Sequence, residues 1–374
     1  MQDNKTFTTT RRSLLKAASG ALLLGAVPQA VLAQQQEARR FAPQPGDWRG
    51  FEVTTRVQLQ KSGVPATVWV PLPSVETAWQ RPLSDNWSGN GKAMRIGTDG
   101  RYGAKYLIAE FDGSAPAVLE VTSRVQTRDR AIDWSQPAAA PQPDDLRLWL
   151  QPTDLMPVDG IVRRTARQIT AGARSDREKV QRIYDWIVIS TYREPKVRGC
   201  GTGDIKAMLE TGNLSGKCGD INGLFVGLCR AAGVPARDAY GIRLAPSAFG
   251  YRELGGNPAS LKGAQHCRAE VYLRGHGWVA MDPADVGKVM RLETGSWIKD
   301  PDHPVVAPVR KALFGGWEGN WMAYNFAHDV RLPGSTTGKL GFLMYPQAEI
   351  GGEALDPLDP DAFKYTISAR AISA

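Results

Sequence analysis

Three short stretches of the chain hold residue types that together can run nucleophilic chemistry. They are Gly216-Lys217-Cys218-Gly219-Asp220, His266-Cys267-Arg268-Ala269-Glu270 and Trp278-Val279-Ala280-Met281-Asp282. Cys218 stands at the head of a helical pattern, with Ile221, Leu224, Phe225 and Leu228 at i, i+3, i+4 and i+7 and a stop at Gly233-Val234-Pro235. A thiol there feels the helix N-terminal field and the unpaired first-turn N–H groups, both of which favour thiolate. The same N–H groups can receive a developing oxyanion. A Gly-His-Gly turn at 275–277 joins the other two stretches into a hairpin, which brings His266 near Asp282 within the slack of a bulge. A thiol nucleophile needs a base, and the imidazole needs an acceptor that sets its tautomer. Cys218 as nucleophile, His266 as base and Asp282 as orienter supply the three parts, with Asp285 an alternative orienter.

Strand alternation sets His266 with Arg268 and Glu270, opposite Cys267, Ala269 and Val271. All four cysteines (Cys200, Cys218, Cys229, Cys267) fall within 68 residues, too few for a disulfide scaffold at this length. Cys229 lies on the apolar side of the helix and reads as core. Cys200 is either a loop residue beside the cleft or half of a disulfide with Cys267. His276, His303 and His328 have no companions at ligand spacing, so no metal site is expected. No P-loop or Gly-x-Ser-x-Gly occurs, and no cofactor is expected.

With Cys229-Arg230-Ala231-Ala232-Gly233-Val234-Pro235-Ala236-Arg237, the Cys218 segment resembles the nucleophile helix of the transglutaminase-like superfamily. Ile183-Tyr184-Asp185-Trp186-Ile187 with Tyr192 resembles the preceding helix of that family. His266 with Glu270-Val271-Tyr272-Leu273, then Gly277-Trp278-Val279 and Asp282-Pro283, resembles its His and Asp strands. The resemblance covers about 150–285. It implies a papain-like core in which Cys218 attacks an amide carbonyl, His266 is the base and Asp282 orients it. The animal crosslinking members place an oxyanion-binding Trp where this chain has Arg198-Gly199-Cys200-Gly201-Thr202-Gly203-Asp204, which leaves the second oxyanion donor unassigned. By the same resemblance, Tyr324-Asn325 is expected to line the cleft.

The elements that position these residues give an α+β fold class: a helix bearing the Cys packed on an antiparallel sheet bearing His and Asp. An N-terminal β-sandwich and a C-terminal β extension flank that core. Alternation at Phe51–Gln60, 66–72, 106–111 and 119–125 predicts short strands over 50–127. A linker is expected at 128–147, the catalytic core at 148–295, and β structure packed on it over 296–374. Ser175 and Glu178 form a capping-box pair ahead of a helix carrying Val180, Ile183, Tyr184 and Ile187.

Residues 1–33 read as an export signal, and 34–48 as a flexible lead-in. Arg11-Arg12-Ser13-Leu14-Leu15-Lys16 resembles a twin-arginine signal, with a general secretory signal as the alternative. The apolar stretch Ala17–Val27 would cover only about half of a bilayer core, so it is not a span. Either route makes the mature protein exported, and a periplasmic location by the twin-arginine route is expected.

Over the whole chain the net charge is +8. Residues 1–33 hold Lys5, Arg11, Arg12 and Lys16 against Asp3; without them, 42 basic and 37 acidic groups leave +5. So mild a charge, with no long basic run, predicts no nucleic-acid partner. A hydrophobic share of 42% and a charged share of 22% exclude disordered, collagenous and polytopic membrane classes. The expected function is an exported cysteine-dependent amide hydrolase or acyltransferase acting on peptide or protein amides of the cell envelope through a thioester. The alternative is a non-catalytic peptide-binding or envelope scaffold protein that keeps the fold. Oligomeric state is left open.

Overall fold

The computed structural model describes residues 39–60, 62–136 and 145–374. The export signal, the first part of the lead-in and residues 137–144 of the linker lie outside the described residues.

The β part begins with β1 (Arg49–Leu59), β2 (Ala66–Pro71), β3 (Gln80–Gly89), β4 (Ala93–Thr98), β5 (Lys105–Phe111), β6 (Ala117–Thr127) and β7 (Arg130–Ala131). In β1, Val53, Thr55, Val57 and Leu59 are buried, while Arg56 and Gln58 face solvent. One sheet runs β19-β1-β6-β3 and a second β18-β17-β2-β5-β4, where β17 is Gln347–Ile350, β18 Glu353–Ala354 and β19 Lys364–Ile372. Val53 and Val57, Val68 and Val70, Leu107 and Ala109, and Leu119 and Val121 share one apolar cluster between the sheets. The outer face of β2 and β5 carries Trp69, Tyr106 and Ile108, which pack with Ala327, Val330 and Leu343.

Two features differ from the sequence expectation. Strands β3 and β4 are additional: β3 is mostly exposed, contains Pro82 and shifts register between Pro82 and Ser84, so it lacks the apolar alternation that marks a strand. The C-terminal strands β17–β19 join the N-terminal sheets rather than packing on the core alone, β19 pairing with β1 from Gly50↔Ile372 to Gln58↔Lys364. Hydrophobic pattern marks a strand but not its partner, so pairing between chain ends is invisible in sequence.

The α+β core follows, with α1 (Gly160–Ile169), α2 (Asp176–Ser190), β8 (Tyr192–Arg193), α3 (Ile205–Thr211), β9 (Ser215–Gly216), α4 (Cys218–Ala231), β10 (Ala236–Arg243), β11 (Gln265–Leu273), β12 (Gly277–Met281) and α5 (Pro283–Leu292). Then come α6 (Ala307–Ala312), β13 (Gly316–Trp317), β14 (Trp321–Asn325), β15 (His328–Val330) and β16 (Leu340–Phe342). Ser175 Oγ accepts from Glu178 N at 3.2 Å and caps α2. The antiparallel sheet β12-β11-β10-β14 carries α4 across β10 and β11. Every residue of α4 from Cys218 to Arg230 is buried, more than a one-sided amphipathic helix requires. Burying Leu224, Phe225 and Leu228 stabilises this packing by about 1.5–3 kcal/mol each.

Candidate active site

Cys218 is the first residue of α4, and Asp220 fastens that end of the helix. One oxygen of Asp220 accepts from Lys217 N at 2.9 Å; the other accepts from Thr202 N and Gly203 N, both at 2.9 Å. The 199–204 loop is thereby drawn against the thiol. Gly201 adopts φ +88°, and a Cβ there would lie 1.8 Å from Asp220 Oδ2, so only glycine lets the loop pass. Gly219 N donates to Cys200 O at 2.8 Å, which pins the loop and uses one first-turn donor.

His266 projects from the second position of β11, and Asp282 follows β12 as the N-cap of α5. The β11–β12 register pairs Ala269 with Met281. Continued, it would set Asp282 opposite Arg268, one same-face step from His266. His266 Nε2 lies 2.7 Å from Asp282 Oδ2 and 3.3 Å from Asp285 Oδ2. Asp282 Oδ1 accepts from Asp285 N at 3.1 Å and from Asn222 Nδ2 at 3.0 Å. Asp282 thus uses one oxygen for the histidine and the other for the turn into α5. Asp285 is the second neighbour, held by Arg243 Nη2 at 2.6 Å.

The sulfurs of Cys200, Cys218 and Cys267 lie within 4.8 Å of one another, and Cys218 and His266 line the same cavity. All four cysteines are free, so the Cys200–Cys267 disulfide alternative is not formed; Cys200 Sγ instead faces Gln265 O at 3.4 Å. Cys229 is fully buried, as a core residue would be. The Cys218 thiol is held well below the usual thiol range, first by the Cys200 and Cys267 thiols and then by His266, against the opposing effect of burial. Cys200 and Cys267 are pushed up. For His266, burial and Arg243 act downward, but the carboxylates of Asp285 and Asp282 outweigh them and raise it to about 9. Burial raises Asp282, whereas Arg243 and His266 overcome burial and hold Asp285 ionised. The arrangement favours a thiolate beside an imidazolium, with its charge balanced from behind.

Two groups of donors come close enough to hold a cation, their ligand atoms lying within 4.8 Å of one another: Cys200, Cys218 and Cys267, and His266, Asp282 and Asp285. The thiol set has the softness suited to Zn²⁺ or Cu⁺. Ligand spacing along the chain could not find either group, because its members come from separate segments.

Sequence reasoning also missed several supports. Asn222, one turn beyond Cys218 and fully buried, donates to Cys267 O at 2.8 Å and to Asp282, and accepts from Ala284 N at 3.1 Å, tying helix, His strand and Asp turn together. A polar residue next to the apolar run that begins at Ile221 was the available signal. Trp321 Nε1 donates to His266 O at 3.0 Å. Gln265, whose Nε2 is buried without a partner among the described residues, lines a cavity of about 240 Å³ with Cys218 and His266. Tyr324 and Asn325, expected beside the cleft, lie in β14 and do not line the cavity at Cys218; Asn325 Nδ2 donates to Leu343 O at 2.8 Å.

Residues 163–283 match the family model described as the transglutaminase-like superfamily, within the 148–295 expected for the core. A Haemophilus influenzae protein of uncharacterized function is 38% identical over 323 residues, covering 82% of this chain and 86% of that one. Among solved structures, a candidate cysteine protease from Cytophaga hutchinsonii aligns over 87% of this chain and 99% of its own, with 17% identity and a TM-score of 0.49. The periplasmic domain of TgpA from Pseudomonas aeruginosa aligns over 74% of this chain and 98% of its own, with 16% identity and a TM-score of 0.35. The transglutaminase-like fold is generally one of cysteine-dependent enzymes, and no helix among the described residues is long and apolar enough to cross a membrane. The chain belongs to the transglutaminase-like superfamily.

Proposed function

We propose that this protein is an exported cysteine-dependent amide hydrolase or acyltransferase that acts on peptide or protein amides of the cell envelope through a thioester, with Cys218, His266 and Asp282 as its catalytic residues. The observation that carries the reading is a thiol at the head of α4 that shares one cavity wall with an imidazole whose Nε2 is 2.7 Å from a buried carboxylate. Export, by the twin-arginine route, rests on residues 10–33 alone. The Cys218 thiolate attacks the amide carbonyl carbon and forms a C–S bond. His266, with Nε2 directed at Asp282, uses Nδ1 to protonate the leaving amine, and the C–N bond breaks. Water or a second amine then loses a proton to Nδ1 as it attacks the thioester, and the thiolate is released. Gln265 Nε2, buried and unpartnered beside Cys218, is the side-chain donor for the oxyanion.

One observation favours a non-catalytic peptide-binding scaffold: Gly219 N–H, a first-turn donor next to the thiol, is already given to Cys200 O. Incubating wild type and Cys218→Ala with envelope extract and a labelled primary amine separates the readings, with amine incorporation and new peptide termini followed by mass spectrometry. Termini or incorporation that depend on Cys218 support the enzyme, and their relative yields separate hydrolysis from transfer. Identical products from both proteins would sink it.

A further inference from the structure

Two cavities open beside the thiol. One, of about 240 Å³, is lined by Cys218 and His266; the other, of about 380 Å³, is lined by Cys200 and Lys217. Arg193, Lys262 and Gln265 line both, and neither cavity has an Asp or Glu in its wall. Several of the lining cations are already matched. Arg243 is held by Asp285 at 2.6 Å, Lys288 by Glu253 at 3.4 Å, and Arg198 by Asp356 at 2.8 Å. Arg193, Lys217 and Lys262 have no carboxylate partner among the described residues. Lys262 rests on the Tyr365 ring at 4.4 Å, and Arg193 Nε is buried without a hydrogen-bond partner among the described residues. Crowding also marks the cluster: Arg193 acts to lower both Lys217 and Lys288, with burial the larger cause in each. Uncompensated cations cost free energy in a recess, and an orphaned guanidinium N–H beside them calls for an anionic acceptor.

We propose that Arg193 and Lys262 bind a carboxylate of the substrate, so that the amide presented to Cys218 belongs to an acidic peptide. The inference rests on the cysteine-acyltransfer reading above, because that reading makes the ligand beside the thiol a peptide. A carboxylate suits Arg193 by its planar, two-oxygen acceptor geometry. It comes either from an acidic side chain or from the free C-terminus of a short peptide.

The test is protection of Cys218 from iodoacetamide, read by mass spectrometry on the full chain. Three acetylated peptides compete: a neutral one with an amidated C-terminus, the same with one internal Glu, and the neutral one with a free C-terminal carboxylate. At least one carboxylate peptide should half-protect at about tenfold lower concentration than the neutral amide, the factor one charge-assisted contact supplies. Which one protects identifies the source of the carboxylate. Arg193→Gln and Lys262→Gln should each cut that advantage to below about threefold, while Arg56→Gln, an exposed cation on the sandwich, keeps it. Two substitutions are used so that a folding defect in one leaves the other to decide. Equal protection by all three peptides, or an advantage that survives both substitutions, overturns the proposal. Should Cys218 prove unreactive without ligand, the acyltransfer reading fails instead. Carboxylate binding is then read from the shift in Tm that the Glu and free-carboxylate peptides produce in wild type and in Arg193→Gln, and no difference between peptides or proteins would refute it.

Discussion

Replacing Asp282 by Asn tests the electrostatic core of the site, removing the carboxylate that faces His266 and also stands 3.6 Å from the buried Arg268 Nε. The amide oxygen can still cap α5 through Asp285 N, so the helix start is retained. What disappears is the charge facing His266 Nε2 at 2.7 Å. A hydrogen bond of that kind contributes about 1.5–3 kcal/mol, and about 1.4 kcal/mol moves an ionisation by one pH unit. The imidazolium, which now persists to about 9, should therefore lose its proton about one to two pH units lower. Asp285→Asn is the comparison: its 3.3 Å contact is longer, but removing it also leaves Arg243, which acts to lower His266, without its carboxylate, so a move in the same direction is expected. The assay is the pH dependence of Cys218 alkylation together with thiolate ultraviolet absorbance. Because folding raises His266 from 6.5 to about 9, the ion pair stabilises the fold fully below the unfolded value, and this contribution is lost as pH rises through about 9. Urea unfolding should thus show the variant weakened most at mildly acidic pH and least above about 9. An alkaline limit that stays put in Asp282→Asn would refute the assignment of Asp282 as the brace.

Cys218→Ala should abolish turnover while leaving the unfolding midpoint near that of wild type, because it removes one atom at a helix end and keeps Asp220 as the cap; kinetics and thermal unfolding check both halves. For Gln265→Ala, the orphaned Nε2 predicts a loss of about 10²–10³ in kcat with KM little changed, and steady-state kinetics would show a KM effect alone if the side chain only bound substrate. Asn222→Ala leaves Ala284 N and an oxygen of Asp282 short of a buried partner and should lower stability by about 1–3 kcal/mol in urea unfolding. Gly201→Ala sets a methyl group against Asp220 at a positive φ, so it should weaken the loop–helix junction by at least about 1–3 kcal/mol and lower Cys218 alkylation with it.

Local pattern reached far into this molecule. The start of α4 at Cys218, the β11–β12 hairpin and the Ser175 cap all follow from rules that operate within a few residues, and the sequence carries those residues in order. Exposed β3, with its Pro82 and polar run, lies beyond the reach of such rules.

By itself the sequence determined which residues have the chemistry: one thiol at a helix start, one histidine at a strand start, one aspartate at the strand's partner turn. Only the tertiary structure decided their company. Cys200 and Cys267 crowd the thiol from a loop and a strand, Asp285 shares the imidazole, Asn222 ties three segments, and Arg193 and Lys262 line the cavities without carboxylate partners among the described residues. The physical reason is range. Capping and alternation act between neighbours in the chain, whereas burial, ion pairing and pKa depend on neighbours in space, which the path of the loops selects.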